Sequence, residues 1–154
     1  MKIDIGNIQV GDRLLMYKSY VQLLKPILGG NLGTRSVDVL AAIMYYTNKI
    51  KGEYKNSTEL KRALGTQKAK SDIRDLVPEM YKDSKKPFMH SVDEKYFQVI
   101  TTDLRKRGFL CEDNNTNMRE KSIMLKNAKI FNIAFSEDAE IELSMKVVSN
   151  EGNR

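Results

Sequence analysis

The chain is predicted to be an α+β protein, mainly helical, with a C-terminal β-hairpin and strand-like arms at its N- and C-terminal ends. Three observations predict this. Apolar residues recur at three- and four-residue spacing through several stretches between Asp12 and Leu104. They alternate at two-residue spacing at Ile3 and Ile5, at Phe131, Ile133 and Phe135, and from Ile141 to Val147. Glycines and short polar residues punctuate the boundaries between these stretches. With 154 residues, 41% of them apolar and 30% charged, the chain is long enough to bury a core of its own. No apolar run approaches the roughly 18 to 20 residues that a membrane span needs.

"KIDIGNIQV" reads as a short strand or a broken pair of strands around Gly6-Asn7. From Asp12 the period changes: Leu14, Tyr17, Val21, Leu24 and Leu28 share one helix face, disturbed at Pro26 and ended by "GGNLG" at 29–33. That glycine-rich loop has neither the Walker spacing nor the dinucleotide fingerprint, so it is read as a connector. Ser36 is expected to cap "VDVLAAIMYYTNKI", whose wide apolar stripe implies a central, buried helix. Gly52 stops it, and "EYKN" is short enough for a small strand.

Asn56 or Ser57 caps "TELKRAL", with Gly65 just past its end. Thr66 opens "QKAKSDIRDLV", which directs Ala69, Ile73, Leu76 and Val77 inward and leaves Gln67, Lys68, Lys70, Ser71 and Arg74 outside. Pro78 kinks or stops it. After the loop "YKDSKKPFMHS", Ser91 and Glu94 form an S-x-x-E capping box for a helix with Tyr96 or Phe97, Ile100 and Leu104 inward and Gly108 at its end. "FLCED" and "KIFNIAF", separated by the polar "NNTNMREKS", are expected to form a hairpin. The tail, with Ile141, Leu143, Met145 and Val147 in alternation, is expected as a strand that pairs with the N-terminal one. The expected organisation is an N-terminal strand and helix extension at 1–35, a core at 36–135 and an acidic C-terminal arm at 136–154.

The buried helix, the capped helix ending in "ALG", the third helix, and "LRKRGFL" running into a hairpin together resemble the winged helix-turn-helix superfamily over roughly residues 36–135. The resemblance implies a helix that enters the major groove and a hairpin wing against the neighbouring phosphates. Two helices qualify as the reader. In one reading it is 67–77, although Lys61 stands where a small residue is usual and the apolar positions fall about two places late. In the other, preferred, it is 92–107, which leads directly into the hairpin and presents Lys95, Gln98, Thr102 and Arg105 at three- and four-residue spacing.

Charge agrees with a nucleic-acid partner. The net charge is +6, and residues 49–107 hold 15 Lys and Arg against 9 Asp and Glu, whereas 136–154 hold 2 against 5. A basic middle attracts phosphate backbones. Phosphate attraction is assigned to Lys68, Lys70, Arg74, Lys95, Arg105, Lys106 and Arg107, and approach to base edges to Gln98 and Thr102. The plain alternative is a solvated helix face whose terminal "RKR" answers the helix macrodipole.

One His, one Cys and scattered acids supply no nucleophile and base pair, so no enzymatic activity, cofactor or metal site is expected. Cys111 is read as a small core residue, and His90 lacks visible partners. The absent secretory signal and the single cysteine suggest an intracellular, cytoplasmic setting, or a virion assembled there. The expected function is non-enzymatic binding of duplex DNA, as a regulator or a replication or packaging accessory. The alternative is a bacteriophage structural or assembly protein, a head-to-tail or packaging component, whose terminal arms join protein partners or copies of the chain.

Overall fold

The computed structural model describes residues 2–4, 13–133 and 142–144, and side chains from Arg13 to Ile133. Five α-helices dominate: α1 (Arg13–Leu24), α2 (Thr34–Ile50), α3 (Ser57–Ala63), α4 (Gln67–Glu79) and α5 (Glu94–Lys106). Single 3-10 turns lie at Lys51–Glu53, Pro87–His90 and Met118–Glu120. β1 (Lys2–Asp4) and β2 (Glu142–Ser144) pair antiparallel, with Ile3 opposite Leu143.

α2 is the axis of the core. Every residue from Val37 to Met44 is buried, and α1, α4 and α5 pack around it. One continuous apolar cluster runs from Leu14 on α1 to Phe131 beyond α5. α1 supplies Tyr17, Val21 and Leu24; α4 supplies Ile73 and Val77; α5 supplies Phe97, Ile100 and Leu104. Those are the faces that the helical spacing predicts.

Helix ends follow local chemistry. The Asn56 side chain accepts from the Glu59 amide at 2.9 Å, and Thr66 Oγ1 accepts from the Ala69 amide at 3.2 Å. α2 starts three residues earlier than expected, with Gly33 as N-cap, which leaves Ser36 inside the first turn. The expected Ser91–Glu94 capping box does not form. Asp93 is the cap, accepting from the Tyr96 amide at 2.7 Å, and Glu94 turns instead to Arg119. Gly108, at φ +83°, makes the left-handed turn that ends α5. Residues 51–53 form a 3-10 turn, and "EYKN" is not a strand.

The expected C-terminal β-hairpin, and with it the wing of a winged helix-turn-helix core, is absent among the described residues. Only Leu110 and Leu125 make a bridge, flanked by Cys111 N to Met124 O and Lys126 N to Phe109 O. Two competing sets of partners explain why pairing stops there. Asp113 accepts from the amides of Asn115 and Ser122, which folds 113–122 back into a loop. Downstream, Tyr17 and Tyr20 donate their hydroxyls to the carbonyls of Ile133 and Ile130, and Phe131 packs on Phe109 at 5.8 Å. Residues 130–133 are therefore recruited by α1 rather than by 109–112. The alternation of Phe131 and Ile133 is real, but turns at 128–132 place it. Phe135 and the remaining strand expectation at Met145 and Val147 lie outside the described residues.

Candidate nucleic-acid interface

The loop between the two bridge residues is held in place before it can serve as a wall. Ser122 Oγ donates to the Lys61 carbonyl at 2.6 Å, and the Ile123 amide donates to the Leu64 carbonyl at 3.0 Å. Gly65 matters here: a Cβ on it would lie 3.0 Å from the Glu120 carbonyl oxygen, so the loop passes as close as a glycine allows. The Ser122 amide beside Asp113 holds that carboxyl below the usual carboxylate range.

Against this wall α4 and α5 form a narrow crevice of about 10 Å³, room for about one water. Its lining includes Gln67, Lys70 and Arg74 from α4, Glu94, Gln98 and Arg105 from α5, and Met118, Arg119 and Lys121 from the loop. Five of these are cations and Glu94 is the one carboxylate among the lining residues. Phe97 and Ile123 form part of the apolar floor.

Of the five cations only Lys70 is buried; Arg74, Arg105 and Lys121 are half-buried and Arg119 is exposed. Lys70 is 7% exposed, which overturns its expected position on the outer face of α4. Its ammonium donates to the Arg119 carbonyl at 2.6 Å. Gln67 donates to the same carbonyl. Arg105 donates one Nη to the Ser122 carbonyl at 2.9 Å, but its Nε has no hydrogen-bond partner, and neither does the buried Nε of Arg74. Arg119 Nε meets Glu94 at 2.8 Å nearer the surface.

Burial pushes the Lys70 ammonium down to about 8; Arg105 and Arg119 add repulsion, and Asp113 and Glu94 oppose it. Burial also pushes the Arg105 guanidinium down, opposed by Asp113. The cleft thus holds like charges whose hydrogen bonds go largely to neutral backbone carbonyls, while its acids are few. A bound anion would relieve this arrangement.

Around the rim, Lys95, Gln98, Val99, Thr102, Asp103, Lys106 and Met118 surround a shallow depression on the outer face of α5, with Asp103 its one carboxylate. Val99, on its lining, is 59% exposed. Gln98 and Met118 line both this depression and the cleft, so the two are contiguous.

Seven of the nine residues singled out from the sequence fall on this surface: Lys70, Arg74, Gln98 and Arg105 in the cleft, and Lys95, Thr102 and Lys106 with Gln98 on the rim. Two do not. Lys68 pairs with Asp72 at 3.0 Å and borders a separate hollow with Tyr46 and Lys49. Arg107 turns to Asp103 at 2.7 Å and to Asn31 Oδ1 at 2.7 Å, bracing the 29–31 loop. The two rival reader helices of the sequence face one cleft. Gln67, Arg119 and Lys121 join the site without having been singled out, although "MREK" inside the polar loop carried both loop cations in plain view.

Among the described residues no helix is long and apolar enough to cross a membrane, and no group of three or more His, Cys, Asp or Glu side chains is placed to hold a metal ion. No protein-family model, no curated protein and no solved structure matches the chain.

Proposed function

We propose that the chain is a non-enzymatic protein that binds duplex DNA through α5, the facing edge of α4 and the 118–121 loop. The observation that carries this reading is the convergence of five cations from three segments on one cleft with a single lining carboxylate. A solvated helix face scatters its lysines singly; a phosphate-binding surface gathers more cations than acids, as here, where Glu94 answers Arg119 but the other cations outnumber their counter-charges.

The rim fits the same partner. Lys95 and Lys106 stand about three turns apart on α5, suited to flanking phosphates, while Gln98, Val99 and Thr102 between them suit base edges and thymine methyl groups. No wing takes part in this reading; the loop from Met118 to Lys121 supplies the neighbouring cations instead.

Fluorescence anisotropy of a labelled duplex across a salt series tests the proposal. Affinity is expected to fall steeply as salt rises, and replacing Lys95 and Lys106 together by Ala is expected to lower the salt slope by about 2, one for each phosphate no longer neutralised. Absence of binding at low salt, or binding indifferent to salt, would sink it. A stable oligomer without DNA affinity would favour an assembly role.

A further inference from the structure

We infer that the outer face of α5 reads A·T pairs in the major groove, with Gln98 on adenine and Val99 and Thr102 on the thymine methyl group. The inference rests on the DNA-binding reading above and deepens it, from a duplex to a class of sequence.

Helix geometry sets the reading row. Lys95, Val99, Thr102 and Lys106 follow one another at spacings of four, three and four, so they share one face of α5. About 16 Å of helix axis separates the two lysines, more than the roughly 12 Å width of the major groove, so they fall on the phosphate rims when the helix crosses it. Val99 and Thr102 are left over the base edges, with Gln98 beside them. The depression they line holds about 480 Å³ and opens to solvent, so no segment has to move to admit a base edge.

What the face lacks decides the base. Guanine is read by a guanidinium or ammonium that reaches O6 and N7, and cytosine by a carboxylate that accepts from N4. The two arginines at the end of α5 are committed elsewhere. Arg105 donates to the Ser122 carbonyl at 2.9 Å, and Arg107 to Asp103 and to Asn31 Oδ1, each at 2.7 Å. The carboxylates of α5 beside this face are committed too, Asp103 to Arg107 and Glu94 to Arg119 at 2.8 Å. That leaves a carboxamide, a hydroxyl with its methyl group, and exposed aliphatic carbon.

A·T pairs answer those groups. A glutamine amide matches adenine N6 and N7 with one acceptor and one donor, and thymine alone carries a methyl group in the groove. Val99 is 59% exposed, and Met118, 39% exposed, lines the same depression, so apolar surface is presented where that methyl group projects. Thr102 adds a second methyl group about one turn further along the helix.

The test selects duplexes with a randomised centre on the full chain, then measures the enriched sequences by fluorescence anisotropy. Adjacent A·T pairs are expected at the selected centre, and exchange of one of them for G·C is expected to weaken binding about tenfold. Two base analogues separate the contacts. Uracil in place of the selected thymine removes the methyl group and is expected to cost the unaltered chain about fourfold. A chain carrying both Val99→Ser and Thr102→Ser is expected to bind the thymine and uracil duplexes alike. In the same way 7-deazaadenine, which lacks the N7 acceptor, is expected to cost the unaltered chain about fivefold and Gln98→Ala nothing. Salt-sensitive binding with a G·C-rich selected centre, or with no base preference, overturns the inference and leaves the DNA-binding reading standing. A·T enrichment that neither the analogues nor the substitutions disturb overturns it as well, because the preference then comes from groove shape. If no duplex binds at low salt, the DNA-binding reading falls and the inference with it.

Discussion

Asp38 on α2 and Lys70 on α4 are both buried charges in helices that pack together, and the protein treats them in opposite ways. Asp38 is 0% exposed and sits among complements. The Tyr81 hydroxyl donates to it at 2.6 Å, and the Lys18 ammonium approaches within 3.3 Å while lying over the Tyr81 ring at 4.0 Å. His90 stacks on Tyr81 with ring centroids 3.6 Å apart, and Arg35 donates to the carbonyls of Met89 and His90. Each charge there has an opposite charge, a π-face or a carbonyl nearby, although Asp38 Oδ1 accepts no hydrogen bond. Lys70 instead has Arg105 and Arg119 repelling it, only partly offset by Asp113 and Glu94, and a peptide carbonyl rather than a carboxylate for its hydrogen-bond partner. The first arrangement closes a core; the second stores a demand for an anion.

The largest expected effect tests the closed half. Asp38→Ala leaves Lys18 and the Tyr81 hydroxyl without their buried acceptor and is expected to cost about 3 kcal/mol or more in chemical denaturation. A loss under about 1 kcal/mol would show that the network is incidental.

Lys70→Met tests the open half, and its sign is reversed. Replacing a buried, repelled ammonium by an apolar side chain of similar length is expected to stabilise the protein by about 1 to 3 kcal/mol at neutral pH. The dependence on pH follows from the lowered value. The unfolded chain holds the Lys70 proton up to its ordinary 10.5, the folded chain only to about 8. The destabilisation is therefore full below pH 8 and fades as pH rises toward 10.5, so the advantage of methionine should shrink over that window. A variant less stable than the unaltered chain at pH 7 would make Lys70 an ordinary structural donor.

Gly65→Ala probes the wall that separates the cations from solvent. Its Cβ presses on the Glu120 carbonyl, and a loss of about 1 kcal/mol is expected together with faster hydrogen exchange at the Ile123 amide. Unchanged exchange there would mean that the wall yields without loosening. The smallest effect belongs to Lys68→Gln, which removes an exposed i,i+4 pair with Asp72: under about 0.5 kcal/mol of stability, and no change in the salt slope of DNA binding.

Much of the helical frame was legible because it rests on local chemistry. The stripe Phe97, Ile100, Leu104, the Thr66 cap and the glycine turn at 108 each depend on residues within one or two turns. What was not legible depends on distant partners. Lys70 reads as a surface residue on a helical wheel, and only the arrival of the Arg119 carbonyl, 49 positions away, lets its head stay inside. The alternation at Phe131 and Ile133 reads as a strand, and only the tyrosines of α1 reveal its real use. The candidate site was half visible for the same reason: α4 and α5 announced their cations, while the loop that brings them into one cleft looked like a spacer.

The unbroken burial of α2 from Val37 to Met44 has a consequence during synthesis. As the chain leaves the ribosome, α1 is already available to cover one side of this segment. The side that α5 covers stays wet until Leu104 has emerged, about 60 residues later. Nascent chains in that interval carry an apolar helix flank with nothing over it, the kind of surface on which chaperones act and aggregates start. Stalled or truncated products ending before α5 are therefore expected to partition into the insoluble fraction, and the helix proposed to read DNA doubles as the piece that makes the rest of the chain safe to release.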